Sequence, residues 1–381
     1  MSPQVTDDPI RRAYAYLLRV AEPPAPALGA FVEACGPVDA AARVRSGDAP
    51  RPVLDETAAR RESDFVDADF AAAQAVGARL LVPDDPEWPA WPLLALRNAC
   101  ARGLRWAGAP LALWVRGPTE IDAALQRSVS VIGARASTGY GEHVAAEFGY
   151  GLAEAGMTVV SGAAYGIDGA AHRGALNAEG TTIAVLACGV DIRYPAAHSR
   201  LLDRIGETGA VVSEYPPGTS PAKHRFLVRN RLIAALSAGT VVVEAGVRSG
   251  ARNTASSAAA LGKTVLAVPG PITSAMSHGC HELLRTGSAT VVCSVAEVLE
   301  AVGQLGVDLA PEPERPKRLT DGLGDQALRV HEALPRGNGL SPERVSAISG
   351  VPLPRVRALL PELELTGLAV RGEEGWHRSR P

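Results

Sequence analysis

The sequence predicts an α/β protein built on a doubly wound, mostly parallel sheet, and three observations predict it. Short valine-rich runs recur from Ser128 onward: VSVIG, MTVVSG, TTIAVLACG, AVVSEY, TVVVEAG and TVLAVPG. They are apolar at successive positions, as strands covered on both faces must be. Stretches of helical period separate most of them, and that alternation builds parallel βαβ units. One such stretch is GEHVAAEFGYGLAEAG, where Val144, Phe148 and Leu152 recur at helical spacing.

Residues 1–75 read as a small helical domain. Tyr14, Leu17 and Leu18 share one helical face, and Pro23, Pro24 and Pro26 break the helix beyond them. Residues 76–302 form the core with an N-terminal extension. The extension holds two strand candidates, ARLLVP and LALWVRG, and the doubly wound part spans 128–302. Residues 303–322, proline-spaced and charged, read as a linker. Residues 323–381 form a terminal module. DQALRVHEAL is one helix, and Ser341-Pro342-Glu343 caps a second. A third bears Val356, Leu359, Leu360 and Leu363, and LAVRG with GWHR completes a β-hairpin. Three helices and a hairpin predict a winged helix. Pro361 lies inside the third helix, which is expected to be kinked or split there.

The 381 residues are 46% hydrophobic, 21% charged and 4% aromatic, enough apolar surface for a real core. No run is long enough to cross a membrane, and the N-terminus lacks an apolar signal segment. Five scattered cysteines without CxxC fit a reducing cytoplasm and exclude a disulfide framework or common zinc site. His278-Gly-Cys280-His281 has metal-capable atoms at the wrong spacing, so no metal is expected.

Ligands of open α/β sheets bind outside the carboxyl ends of the strands. Those ends carry Gly133-Ala-Arg135-Ala-Ser137, then Ser161-Gly162-Ala-Ala-Tyr165-Gly166-Ile167-Asp168, Gly189-Val-Asp191, and Glu244 with Ser249-Gly250. Glycines and helix N-termini present bare N–H groups, which is what an anion site requires. No loop spells G-x-G-x-x-G or the P-loop, so a dehydrogenase or ATPase is not expected, and no cofactor is called for.

The net charge of −3 is uninformative, but its distribution is not. Between Tyr215 and His281 stand Lys223, Arg225, Arg229, Arg231, Arg248, Arg252 and Lys263 against the single acid Glu244. Lys223, Arg225, Arg229, Asn230 and Arg231 cluster at the start of one helix on the rim of the anion loops, which predicts a phosphate-binding groove. Glu214 and Glu244 follow buried strands and are expected to orient that Arg-Asn-Arg triplet. His172 lies one helical turn after Asp168, and a structural hydrogen bond between them is expected.

The motifs GARASTGYG, SGAAYGIDGAAHRGAL, AVLACGVDIRYP, SEYPPG, RNRLIAALS, VVVEAGVRSG and AVPG, in this order across about half the chain, resemble the DNA-processing protein A (Smf) family. The resemblance implies a Rossmann-like core that binds single-stranded DNA without catalysis. It further implies protection of incoming DNA in natural transformation, loading of the RecA recombinase, and a homodimer. Arg135 and Ser137 match the family's Gly-Ser-Arg-x-x-Ser loop. Gly162, Gly166, Ile167 and Asp168 match its Gly-Ile-Asp loop, with Tyr165 in place of an arginine as a surface for a base. Arg229, Asn230 and Arg231 match its Arg-Asn-Arg. The implied dimer uses the end of the core, so one of Leu283 and Leu284, about 100° apart on a helix, is expected to face a partner subunit.

A rival class, the lysine-decarboxylase-like nucleotide phosphoribohydrolases, shares a similar core. Those enzymes carry Pro-Gly-Gly-x-Gly-Thr-x-x-Glu where this chain has Glu244-Ala-Gly-Val-Arg-Ser-Gly-Ala-Arg252, without the final acid. A third class, a duplex-reading regulator, is weakened by charge: residues 323–381 hold eight arginines against seven acids. A protein-contact role suits that module better.

Overall fold

The computed structural model describes residues 7–247, 249–304, 306–311 and 319–379. The chain divides into two compact units, with the boundary between Ala310 and Pro311.

The first unit begins with five helices: α1 (Pro9–Val20), α2 (Pro26–Cys35), α3 (Pro37–Ser46), α4 (Arg51–Thr57) and α5 (Val66–Ala75). Asp8 caps α1 by accepting from the Ile10 N–H at 2.9 Å, and Pro9 starts the helix where its missing N–H costs nothing. Tyr14, Leu17 and Leu18 all turn inward, as their shared face requires.

The sheet comes next. Its strands are β1 (Ala78–Leu81), β2 (Leu113–Arg116), β3 (Ser128–Ile132), β4 (Thr158–Ser161), β5 (Thr182–Leu186), β6 (Ala210–Ser213), β7 (Gly239–Val242), β8 (Thr264–Ala267) and β9 (Thr290–Val291). They stand in the order β1-β2-β6-β5-β4-β3-β7-β8-β9. β1, β2 and β6 pair antiparallel, and all other pairs are parallel, so the sheet is mostly parallel as expected. β9 has only two residues, too few to show a period in the sequence.

Helices cover both faces: α6 (Ala90–Ala101), α7 (Ile121–Leu125), α8 (Gly139–Glu154), α9 (Ile167–Asn177), α10 (Ser199–Thr208), α11 (Lys223–Ala235), α12 (Gly250–Ala260), α13 (His278–Arg285) and α14 (Val295–Val302). The pleat divides the strands between two cores. Ile183 and Val185 of β5 pack with Leu232 and Ile233 of α11, whereas Ala184 and Leu186 pack with Ile205 of α10 and Leu17 of α1. A strand apolar at every position is therefore covered on both sides.

From β3 the chain winds outward through β4, β5 and β6, then returns to β7 on the other side of β3. That reversal opens a crevice between the carboxyl ends of β3 and β7, the switch point where such sheets hold ligands.

The second unit holds α15 (Asp325–Ala333), α16 (Pro342–Ser349), α17 (Leu353–Leu365) and the antiparallel hairpin β10 (Ala369–Gly372) and β11 (Gly375–Arg378). Val330, Val345, Leu359, Leu360, Leu363 and Trp376 form its core. α17 runs through Pro361 as one helix, so of the two expected outcomes splitting does not occur. Pro361 is exposed while Leu359, Leu360 and Leu363 around it are buried, so packing outweighs the lost hydrogen bond.

Candidate nucleic-acid interface

Two loops meet at the switch point. The loop after β3 carries Gly133, Ala134 and Arg135; the loop after β7 carries Glu244 and runs to Ser249 and Gly250 at the start of α12. They are stitched together: the Ala134 N–H donates to the Glu244 carbonyl at 2.7 Å. The buried Glu244 carboxylate accepts from the Thr138 N–H (2.9 Å) and hydroxyl (2.6 Å) at the start of α8. It thus caps α8 and does not orient Arg-Asn-Arg, correcting the sequence expectation for Glu244. Among the described residues, none plugs the N-terminus of α12 in this way. Ser249 makes no side-chain cap, its hydroxyl is buried with no protein partner, and a Cβ on Gly250 would meet open space. The positive end of that helix is open to an anion.

The loop after β4 braces this pair from the side. Gly166 sits at φ +73°, and a side chain there would collide with the Ala134 carbonyl. A Cβ on Gly133 would press against Ile167. The Ile167 N–H bonds the Ala134 carbonyl at 3.3 Å. Asp168 is buried, and its carboxylate accepts from the Gly162 (3.2 Å) and Ala164 (3.4 Å) N–H groups. Burial raises its pKa, with the Arg229 charge opposing. His172 is not its partner. Its Nδ1 bonds the Thr182 hydroxyl of β5 at 2.7 Å, and burial pushes its pKa down to about 3, so it is neutral. The turn of α9 aims it at the sheet, which outweighs the i,i+4 geometry. Ser161 is likewise turned inward, donating to the Val131 carbonyl at 2.6 Å. Ser137 donates to Glu142 at 2.8 Å.

The cations separate by burial. Arg135 is exposed, with no hydrogen bond or ion pair to a described residue; its guanidinium lies over the Phe226 ring at 4.7 Å. Lys223, at the start of α11, is exposed and also makes no ion pair with a described residue. Arg225 is half-buried and bound to Glu22 of the segment after α1 through Nε (2.7 Å) and Nη2 (3.1 Å).

Arg229 and Arg231 sit differently from what the sequence suggests. Both are buried, at 3% and 1% exposure. Arg229 donates to the carbonyls of Gly162 and Val185, and burial lowers its pKa to about 10. Arg231 donates to the Glu214 carboxylate at 2.8 Å and the Gly108 carbonyl at 3.0 Å. Arg231 is thus committed to protein acceptors in place of phosphate, with Glu214 in the orienting role expected of it. Asn230 bonds Asn253 at 3.1 Å and joins α11 to α12.

Around the crevice lies a cleft of about 640 Å³, lined by Gly133, Arg135, Lys223, Arg229, Asn230 and Gly250 among others. Beside it Tyr165 (46% exposed) packs edge-on to His198, and Tyr194 lies 5.6 Å from Phe226. Tyr165, Tyr194, Phe226 and Arg135 line a second, smaller hollow. The sequence places Tyr194 after a strand end on the same rim but gives no role to Phe226. The signal was available for Phe226, which stands one helical turn from both Lys223 and Arg229. Glu22 left no local signal, since it meets Arg225 across 203 residues. Arg248 lies outside the described residues. Leu283 is buried on the sheet, and Leu284 is half-buried against the same cluster.

An open α/β sheet with a helix N-terminus, exposed cations and aromatic rings at its switch point has the features of an anion-binding surface. A family model, DNA recombination-mediator protein A, matches residues 79–303, and the chain belongs to that family. It is 49% identical over 369 residues to the putative DNA processing protein DprA of Mycobacterium tuberculosis (strain CDC 1551 / Oshkosh), spanning 97% of this chain and 94% of that one. Protein Smf of Escherichia coli (strain K12) is 38% identical over 303 residues, covering 79% and 77%. The X-ray structure of DNA processing protein A from Streptococcus pneumoniae superposes with a TM-score of 0.61 at 32% identity, over 75% of this chain and 96% of that one. No helix among the described residues is long and apolar enough to cross a membrane.

Proposed function

We propose that the switch-point cleft binds the backbone of single-stranded DNA, and that the chain acts as a non-enzymatic mediator. In this reading it protects incoming DNA and helps load the RecA recombinase in the cytoplasm, working as a homodimer. The observation that carries the reading is the pairing of two exposed cations, Arg135 and Lys223, which make no ion pair with a described residue, with the open N-terminus of α12 around one cleft. Phosphates meet the cations and bare N–H groups, while Tyr165, Tyr194 and Phe226 offer rings to unpaired bases, which a duplex keeps stacked. The carboxylates near the cleft are already engaged, Asp168 by backbone N–H groups and Glu244 by Thr138, so neither is free for acid–base work. Gel shifts with single-stranded and duplex DNA, alongside an AMP hydrolysis assay, test this. Preference for the single strand with no hydrolysis supports it; hydrolysis, or equal affinity for duplex, overturns it. Light scattering on Leu284→Glu tests the dimer, which predicts a lower mass than the parent.

A further inference from the structure

The groove between α11 and α12 does not end at the cleft. Leu227, 56% exposed, lines the cleft on one flank and a second hollow of about 440 Å³ on the other. Trp106 and Pro24 wall that hollow on one side, and Asn253 and Ser256 of α12 on the other. The Trp106 indole is 37% exposed there, beside the 56% exposed Leu227, so the hollow presents an aromatic face to solvent. Arg102 donates to the carbonyl of Ala260, a wall residue, at 3.2 Å, so a guanidinium lies next to the wall of the hollow. No carboxylate is among the lining side chains.

An exposed indole, an amide and a hydroxyl opposite it, and a cation beside the wall match the three parts of a nucleotide: base face, base edge and phosphate. The volume falls in the range of small-ligand sites. A protein partner would need a larger apolar area than one indole, one leucine and one proline provide.

We propose that this hollow is a second nucleotide subsite: a strand leaving the cleft crosses Leu227, stacks a base on Trp106 and sets its phosphate against Arg102. The proposal rests on the single-strand reading above. It makes the binding footprint two-part, with the distal part reached only by longer strands.

The test compares the full-length parent with Trp106→Ala, Trp106→Phe, Arg102→Ala and Arg135→Ala, using oligothymidylates of about four to about sixteen nucleotides, the span of single-strand grooves. Trp106→Ala should weaken the longest oligomers roughly five- to a hundredfold and leave the shortest unchanged, since one base stack is lost. Trp106→Phe should keep most of the affinity, and Arg102→Ala should weaken only the longer strands. The fluorescence difference between the parent and Trp106→Phe should be quenched by long oligomers and not by short ones; this readout stands even if the alanine variant folds poorly. Unchanged affinity at every length for Trp106→Ala and Arg102→Ala, with Arg135→Ala weakened, overturns the subsite and leaves the cleft reading intact. Equal losses at all lengths, or an unquenched Trp106, also overturn it. Failure of Arg135→Ala to weaken any oligomer overturns both.

Discussion

Two sets of cations meet around α11. Arg135 and Lys223 are exposed and unpaired, while Arg229 and Arg231, on the same helix as Lys223, are buried and bound to protein oxygens. The residue types are nearly the same, and the surroundings assign opposite work. The outer pair can exchange water for phosphate at little cost. The inner pair ties the floor together: Arg229 holds the ends of β4 and β5, and Arg231 holds Glu214 after β6 to the loop at Gly108. A basic motif in a sequence therefore mixes contacts with construction.

The contrast should be sharpest at Arg231. Arg231→Ala leaves the buried Glu214 carboxylate without its counter-charge, and should cost roughly 3–5 kcal/mol in urea unfolding. Arg231→Met with Glu214→Leu should recover much of that loss. If the single variant unfolds like the parent, the inner pair is not structural. At the outer pair the effect should move from stability to binding. Arg135→Ala and Lys223→Ala should each leave the unfolding free energy within about 0.5 kcal/mol of the parent. Each should weaken single-strand binding for every sequence and reduce the salt slope by about one. A melting shift without a binding shift would reverse the assignment.

Arg225 stands between the two sets, half-buried and neutralised by Glu22, which also holds Arg60 and His224. Glu22→Gln should release it and tighten single-strand binding a few-fold, visible as a steeper salt slope. Burial pulls the Glu22 pKa up, but hydrogen bonds and charge from Arg225 and His224 leave it lowered overall. Its folded pKa lies below the unfolded one, so the stability it lends is present above the unfolded carboxylate pKa and is lost as pH falls through the folded value. In Glu22→Gln that acid limb of the stability curve should flatten. The smallest effect belongs to the terminal unit. Removing residues 311–381 should leave most single-strand affinity intact, because its charges nearly balance and the cleft lies wholly in the first unit.

The sheet was legible because period and burial are local: a run such as TIAVL can be satisfied only between two layers. The glycine loops were legible because φ and close approach restrict residue choice, as at Gly166. Burial of Arg229 and Arg231 was not, since an arginine pattern reads the same whether it faces water or the Val185 carbonyl. Nor was the partner of His172, which depends on how α9 lies over β5. Glu22 reaches Arg225 only after the N-terminal helices have packed on the core.

The stitching of the lip has a thermodynamic consequence. Ala134 to Glu244, Glu244 to Thr138 and Asp168 to Gly162 are bonds made when the chain folds. The backbone N–H groups of these stitched loops are thus oriented by folding itself, and the entropy of ordering them is not subtracted from the binding free energy.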